Sequence, residues 1–158
     1  MKKRIVTILL LLTLAFIWGN SLLSRELSGA ISDNLMAVMN AAAEKLGLGE
    51  NFFTYMSDQD GDGTEEPTSH LVRKMAHVTE FAVLGALFRL RLEGKHKPAL
   101  TAFCLGAAAG AVDETIQIFS HRGSQVQDVF IDSAGVLLGL GAVLLLARLR
   151  RRAAEKKS

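Results

Sequence analysis

The 158-residue sequence has one cysteine, two prolines, one tryptophan and one tyrosine. A lone Cys104 excludes an intrachain disulfide framework and a cysteine-rich metal centre. Neither sign of charge is in real excess: 18 Lys and Arg stand against 16 Asp and Glu, a formal net charge of +2. So balanced a chain lacks the bulk positive charge that neutralises phosphates, and no nucleic-acid partner is expected. Charged residues make up 22% and hydrophobic ones 49%, and the mean hydropathy of +0.26 is high for a soluble domain that must keep a polar surface. Length and composition together point to one small membrane domain covering residues 1–158.

What is present in quantity is apolar runs. A bilayer core of about 30 Å needs roughly 20 helical residues, and lipid forces every backbone group to pair internally. Four stretches meet that need, at about 5–23, 75–92, 98–119 and 129–149. The fold expected is an all-α membrane protein, a four-transmembrane-helix bundle. Pro98 suits the first turn of the third span. Trp18 suits an interfacial belt at the end of the first, and Cys104, mid-span among apolar residues, reads as packing. Lys2, Lys3 and Arg4 before the first run resemble the start of a signal peptide. No A-x-A pattern follows Trp18, so an uncleaved anchor is expected.

Orientation follows from the basic residues. Lys2, Lys3 and Arg4 precede the first span; Arg89, Arg91, Lys95 and Lys97 lie at the turn between the second and third. Arg148, Arg150, Arg151, Arg152, Lys156 and Lys157 follow the fourth, whereas the connection between spans three and four holds only Arg122. An even number of spans puts all three basic clusters on one face, which the positive-inside rule makes cytoplasmic. Both termini are then expected in the cytoplasm and residues 24–74 outside it.

Within that outer segment, Leu35, Val38, Met39, Ala42 and Leu46 recur at helical spacing. Ser32 is expected as N-cap and Gly47 just beyond the C-terminus. This short amphipathic helix would lie on the outer membrane surface or cover the outer end of the bundle. Downstream, Asp58-Gln59-Asp60-Gly61-Asp62-Gly63 matches the opening of a calcium loop, with Asp58, Asp60 and Asp62 as oxygen ligands. The match then fails, because Ser69 stands where a bidentate Glu is needed. A weak calcium site at 58–66 and a solvated acidic turn both remain open.

The polar residues inside the spans are the informative ones. An ionised side chain at a helix centre costs about 2.5–3.5 kcal/mol on insertion scales, so such residues are functional candidates by default. They are Arg73, Lys74, His77 and Glu80 on the second span, Asp113, Glu114 and Gln117 on the third, and Asp128 and Asp132 on the fourth. His121 and Arg122 lie between the last two. All fall at the outer end of their helices, so three distant segments converge on one layer. Arg73, His77 and Glu80 share one helix face, as do Asp113 with Gln117 and Asp128 with Asp132. The last two faces continue through Gly106–Gly110 and Gly135–Gly139, small-residue pairs that let helices approach closely in lipid. The polar stripes therefore point into the bundle.

In combination, Arg73-Lys74-x-Ala76-His77-x-x-Glu80-Phe81, Asp113-Glu114-x-x-Gln117-x-Phe119, Arg122, Asp128 and Gly135 resemble the VanZ-like family of small bacterial membrane proteins. The resemblance covers roughly residues 70–140. It implies a multi-pass protein of the bacterial cytoplasmic membrane, associated with the cell envelope and with resistance to the glycopeptide teicoplanin. The calcium-like loop is not a hallmark of that family.

Three readings of the polar layer follow. Arg73, Lys74, Gln117, His121, Arg122, Asp128 and Asp132 could bind a polar, anionic group of a lipid-linked, cell-envelope or glycopeptide-related ligand. Alternatively, His77, Glu80, Asp113 and Glu114 could act catalytically on a lipid-linked or cell-wall precursor, with His77 as general acid or base. In the third reading the charges only neutralise one another as a structural network. His77 and Glu80 with Asp113 or His121 could also ligate zinc, though His-x-x-Glu lacks the paired histidines of the strong motif. Membrane lipids are the remaining expected partners.

Overall fold

A computed structural model describes residues 2–23, 25–54, 67–120 and 126–156. Among these the regular structure is helical: α1 (Lys2–Ser21), α2 (Arg25–Lys45), α3 (Pro67–Arg91), α4 (Pro98–Phe119) and α5 (Val126–Glu155). Three contain stretches long and apolar enough to cross a membrane: Lys3–Ser21, Pro98–Phe119 and Asp128–Glu155. The fourth expected span falls on α3, which has the length at 25 residues but not the apolarity. Any window of 18 residues along it carries at least three of Arg73, Lys74, Glu80, Arg89 and Arg91.

The described residues separate into two compact units. The first comprises residues 1–22 and 77–158, and so α1, α3 from His77 onward, α4 and α5. Its core takes Leu10 and Ile17 from α1, Phe81 and Leu84 from α3, Ala102 and Ala109 from α4, and Val136 and Leu140 from α5. Larger apolar side chains face outward instead: Leu11, Leu12, Phe16, Leu100, Phe130, Leu137, Leu138 and Leu145 are each more than half exposed. Buried polar groups beneath an exposed apolar coat are what lipid as solvent demands. Cys104 belongs to that coat; it is exposed, which corrects the expectation that it packs inside.

Small residues set the helix spacing. A Cβ on Gly139 would run into the Ala82 carbonyl of α3, and one on Gly135 would meet the Val78 carbonyl at 2.6 Å. On α4, a Cβ on Gly106 would meet Val136 of α5 at 2.6 Å, and one on Gly110 would meet Asp132 at 3.1 Å. Both small-residue pairs thus lie at helix contacts, α5 against α3 and α4 against α5. Pro98 opens α4 as expected, with Lys97 as N-cap in the left-handed region at φ 44°.

The second unit comprises residues 23–76. Here α2 begins two turns before the expected start, so Ser32 is a buried mid-helix residue and not an N-cap. The C-terminus is as expected. Gly47, at φ +76°, is followed by a bond from the Leu48 N–H to the Ala43 carbonyl, and its own N–H reaches Glu44, which makes a Schellman cap. Ser32, Met36 and Ala43 form the buried face, while Leu27, Ile31, Leu35, Val38 and Leu46 leave an apolar stripe exposed. Asn40 fixes the following turn by accepting from the Phe53 N–H at 2.9 Å and donating to Thr54 Oγ1 at 2.8 Å.

Candidate functional site

Four helices each bring polar groups to one place in the first unit. From α3 comes His77, whose Nδ1 lies 3.1 Å from Asp132 Oδ1 of α5 and 3.9 Å from Asp113 Oδ2 of α4. Both aspartates are fully buried, whereas the His77 side chain is 20% exposed. An ionised Asp132 only accepts, and with it in that form the hydrogen bond places a proton on His77 Nδ1 and leaves Nε2 as the nitrogen not committed to Asp132. The ring also stacks on Phe81 one turn further along α3, with centroids 6.4 Å apart and planes within 5°.

Asp113 is held from behind. Ser21 Oγ of α1 donates to its Oδ1 at 2.6 Å, and Gln117 Nε2, one turn along α4, donates to its Oδ2 at 2.8 Å. Ser120 Oγ donates to the Ser21 carbonyl at 2.9 Å, joining the end of α4 to the end of α1. Asn20 Nδ2 donates to Glu80 Oε1 at 3.2 Å, and Trp18 Nε1 reaches the Ala109 carbonyl at 3.4 Å. Asp113 is thereby oriented through both oxygens. Asp132 is not: its Oδ2 is buried with no hydrogen-bond partner among the described residues.

The arrangement has two chemical capacities. An imidazole set against buried carboxylates can take up and release a proton. His77, Asp113 and Asp132 also each offer a ligand atom, all within 4.8 Å of one another. One nitrogen and two carboxylate oxygens would suit a divalent cation, with Ser21 and Gln117 orienting one ligand.

A family profile described as VanZ/LLP1 matches residues 5–147. The chain belongs to the VanZ/LLP1 family. No curated protein and no solved structure matches it significantly. With its apolar helices, this makes it a membrane protein of the VanZ/LLP1 family.

Among the polar residues singled out inside the spans, the structure brings together His77, Asp113, Gln117 and Asp132, with Glu80 one turn along α3 from His77. Glu114 is buried beside Asp113 in the sequence of α4. Asp128 is half-buried one turn before Asp132 and joins no hydrogen bond or ion pair among the described residues. Arg73 and Lys74 belong to the part of α3 that falls in the second unit. His121, Arg122 and the Asp58, Asp60 and Asp62 loop lie outside the described residues. Sequence reasoning missed Ser21, Asn20 and Ser120. Asn20 and Ser21 carried a signal all the same, as the first adjacent pair of polar residues after an apolar run.

Proposed function

We propose that this membrane protein acts on the polar part of a lipid-linked or cell-wall precursor by proton transfer at His77. The observation that carries the reading is the 3.1 Å bond from His77 Nδ1 to a fully buried Asp132, with His77 the partly exposed member of the pair. A carboxylate on Nδ1 fixes the ring and its tautomer and stabilises the imidazolium, so Nε2 can accept a proton from a bound group and return it. The bond from Ser21 and the one from Gln117 keep Asp113 close behind without occupying His77. Glu80, held by Asn20, lies one turn along α3 from the ring.

Recognition of an anionic envelope or glycopeptide-related group without turnover is the second reading, and one observation favours it. Ser120 is pinned to α1 beside the cluster, and Arg122 follows only two residues later in the chain. A guanidinium there would suit a phosphate or carboxylate. Among the described residues, however, Asp113 and Asp132 share one imidazole as their only cationic partner, an acidic setting that suits a proton better than an anion. Glycopeptide susceptibility belongs to either reading as its cellular consequence.

The test uses purified protein in nanodiscs, given a polyprenyl-pyrophosphate-linked cell-wall precursor and followed by mass spectrometry. Conversion that fails in His77→Gln, survives a chelator and follows one ionisation in the imidazole range supports proton transfer. Retention without conversion supports recognition. Conversion lost to the chelator would give the cluster to a cation, and neither conversion nor retention would sink both readings.

A further inference from the structure

The opposite end of the first unit carries a second polar assembly that the His77 centre does not use. A cavity of about 340 Å³ is lined by Lys3, Arg4, Thr7 and Ile8 of α1 and by Arg91 at the end of α3. Its size falls within the range of about 300–1,000 Å³ typical of small-ligand sites. Three of the five lining residues are cations, none is acidic, and none of the three pairs with a carboxylate among the described residues.

The cations are ordered by a chain of hydrogen bonds. Thr7 Oγ1 donates to the Lys3 carbonyl at 2.8 Å, so its hydroxyl hydrogen is committed and its oxygen is left to accept. Arg91 Nε donates to that oxygen, also at 2.8 Å. This fixes the plane of the guanidinium through Nε and, among the described residues, leaves its two terminal nitrogens without a hydrogen-bond partner. Arginine presented in that way suits the oxygens of a phosphate, and its bound geometry has already been bought by Thr7.

The surroundings say what kind of phosphate. Ile8, the apolar member of the lining, opens a stripe along α1 that continues through Leu11, Leu12 and Phe16, all more than half exposed. An anionic head group in the cavity would place its acyl chains along that stripe. A soluble phosphate would leave the stripe unused. We infer that Lys3, Arg4 and Arg91 form a binding site for the phosphate of an anionic membrane lipid, with Thr7 positioning Arg91.

The full-length protein is reconstituted in nanodiscs of phosphatidylcholine alone or mixed with phosphatidylglycerol, and the lipids it retains after mild detergent extraction are counted by native mass spectrometry. Phosphatidylglycerol should be retained in preference to phosphatidylcholine. Since a basic side chain at an anionic surface contributes on the order of 1 kcal/mol, each of Lys3→Gln, Arg4→Gln and Arg91→Gln should weaken the preference about fivefold. Thr7→Val should weaken it while leaving every charge in place. Inorganic phosphate is the control, and it should displace the lipid only poorly. Equal retention of the two lipids, a preference unchanged in the Arg91→Gln protein, or displacement by inorganic phosphate as effective as by lipid would each overturn the assignment. None of these outcomes touches the His77 centre.

Discussion

Asp113 and Asp132 sit fully buried on adjacent helices, and what makes that tolerable is the set of donors around them. For Asp113 these are Ser21 and Gln117, with His77 shared between both aspartates. Leaving a buried acceptor without its donor costs about 1–3 kcal/mol. Ser21→Ala should therefore lower the thermal midpoint of the detergent-solubilised protein by that equivalent, while Ser120→Ala, which loses a bond to a backbone carbonyl, should cost less. Thermal unfolding of the two variants checks the order, and a Ser21→Ala protein as stable as wild type would show that Asp113 does not depend on α1. The carboxylates and His77 were legible in the sequence because ionisable groups in an apolar span are costly enough to stand out. Ser21 was not. A serine at a helix end is cheap, since its hydroxyl can turn back on its own helix, where the Ile17 carbonyl lies 3.3 Å from the Ser21 Oγ that donates to Asp113.

At the scale of elements, the bundle is spaced by residues without side chains. Gly139 packs against the α3 backbone, whereas a Cβ on Gly141, two residues later, would meet nothing within 4 Å. Gly139→Ala has only backbone to push against, and overpacking of this kind typically costs about 1–3 kcal/mol. Gly141→Ala should be neutral or slightly stabilising, because alanine is the better helix former. Fluorescence-detected size exclusion after a heating series would compare them, and equal loss in both would contradict the proposed α3–α5 contact. The glycine pairs were readable from their four-residue spacing, and α4 from Pro98 and its unbroken apolar run. The start of α2 was not readable, because Arg25 through Ser28 bring little apolar periodicity with which to announce a helix. α3 was read as a span from its apolar second half, which hid its true beginning at Pro67.

On the scale of the whole molecule, the first unit carries different chemistry at its two ends. Ser21, His77, Asp113 and Asp132 gather at one, and Lys3, Arg4 and Arg91 at the other. The Arg91–Thr7 bond brings two of the basic segments together, as the positive-inside argument requires of segments on one face. The sequence made this polarity visible because basic residues cluster at alternate helix ends. It could not show whether charged α3 crosses the membrane, since side chains that shelter in a bundle and side chains that stay in water look alike in a hydropathy profile. We propose that α3 does cross, that both termini are cytoplasmic and that the His77 centre opens to the outside. Labelling of intact cells with an impermeant thiol reagent tests this most directly, in a Cys104→Ser background that removes an exposed thiol. A cysteine replacing Ser124, close in sequence to Gln117 and Asp128, should be labelled, and one replacing Ser158 should react only after the membrane is opened. Labelling of Ser158→Cys in intact cells, or a shielded Ser124→Cys, would place the acidic centre on the wrong side for an envelope precursor and contradict the proposed function.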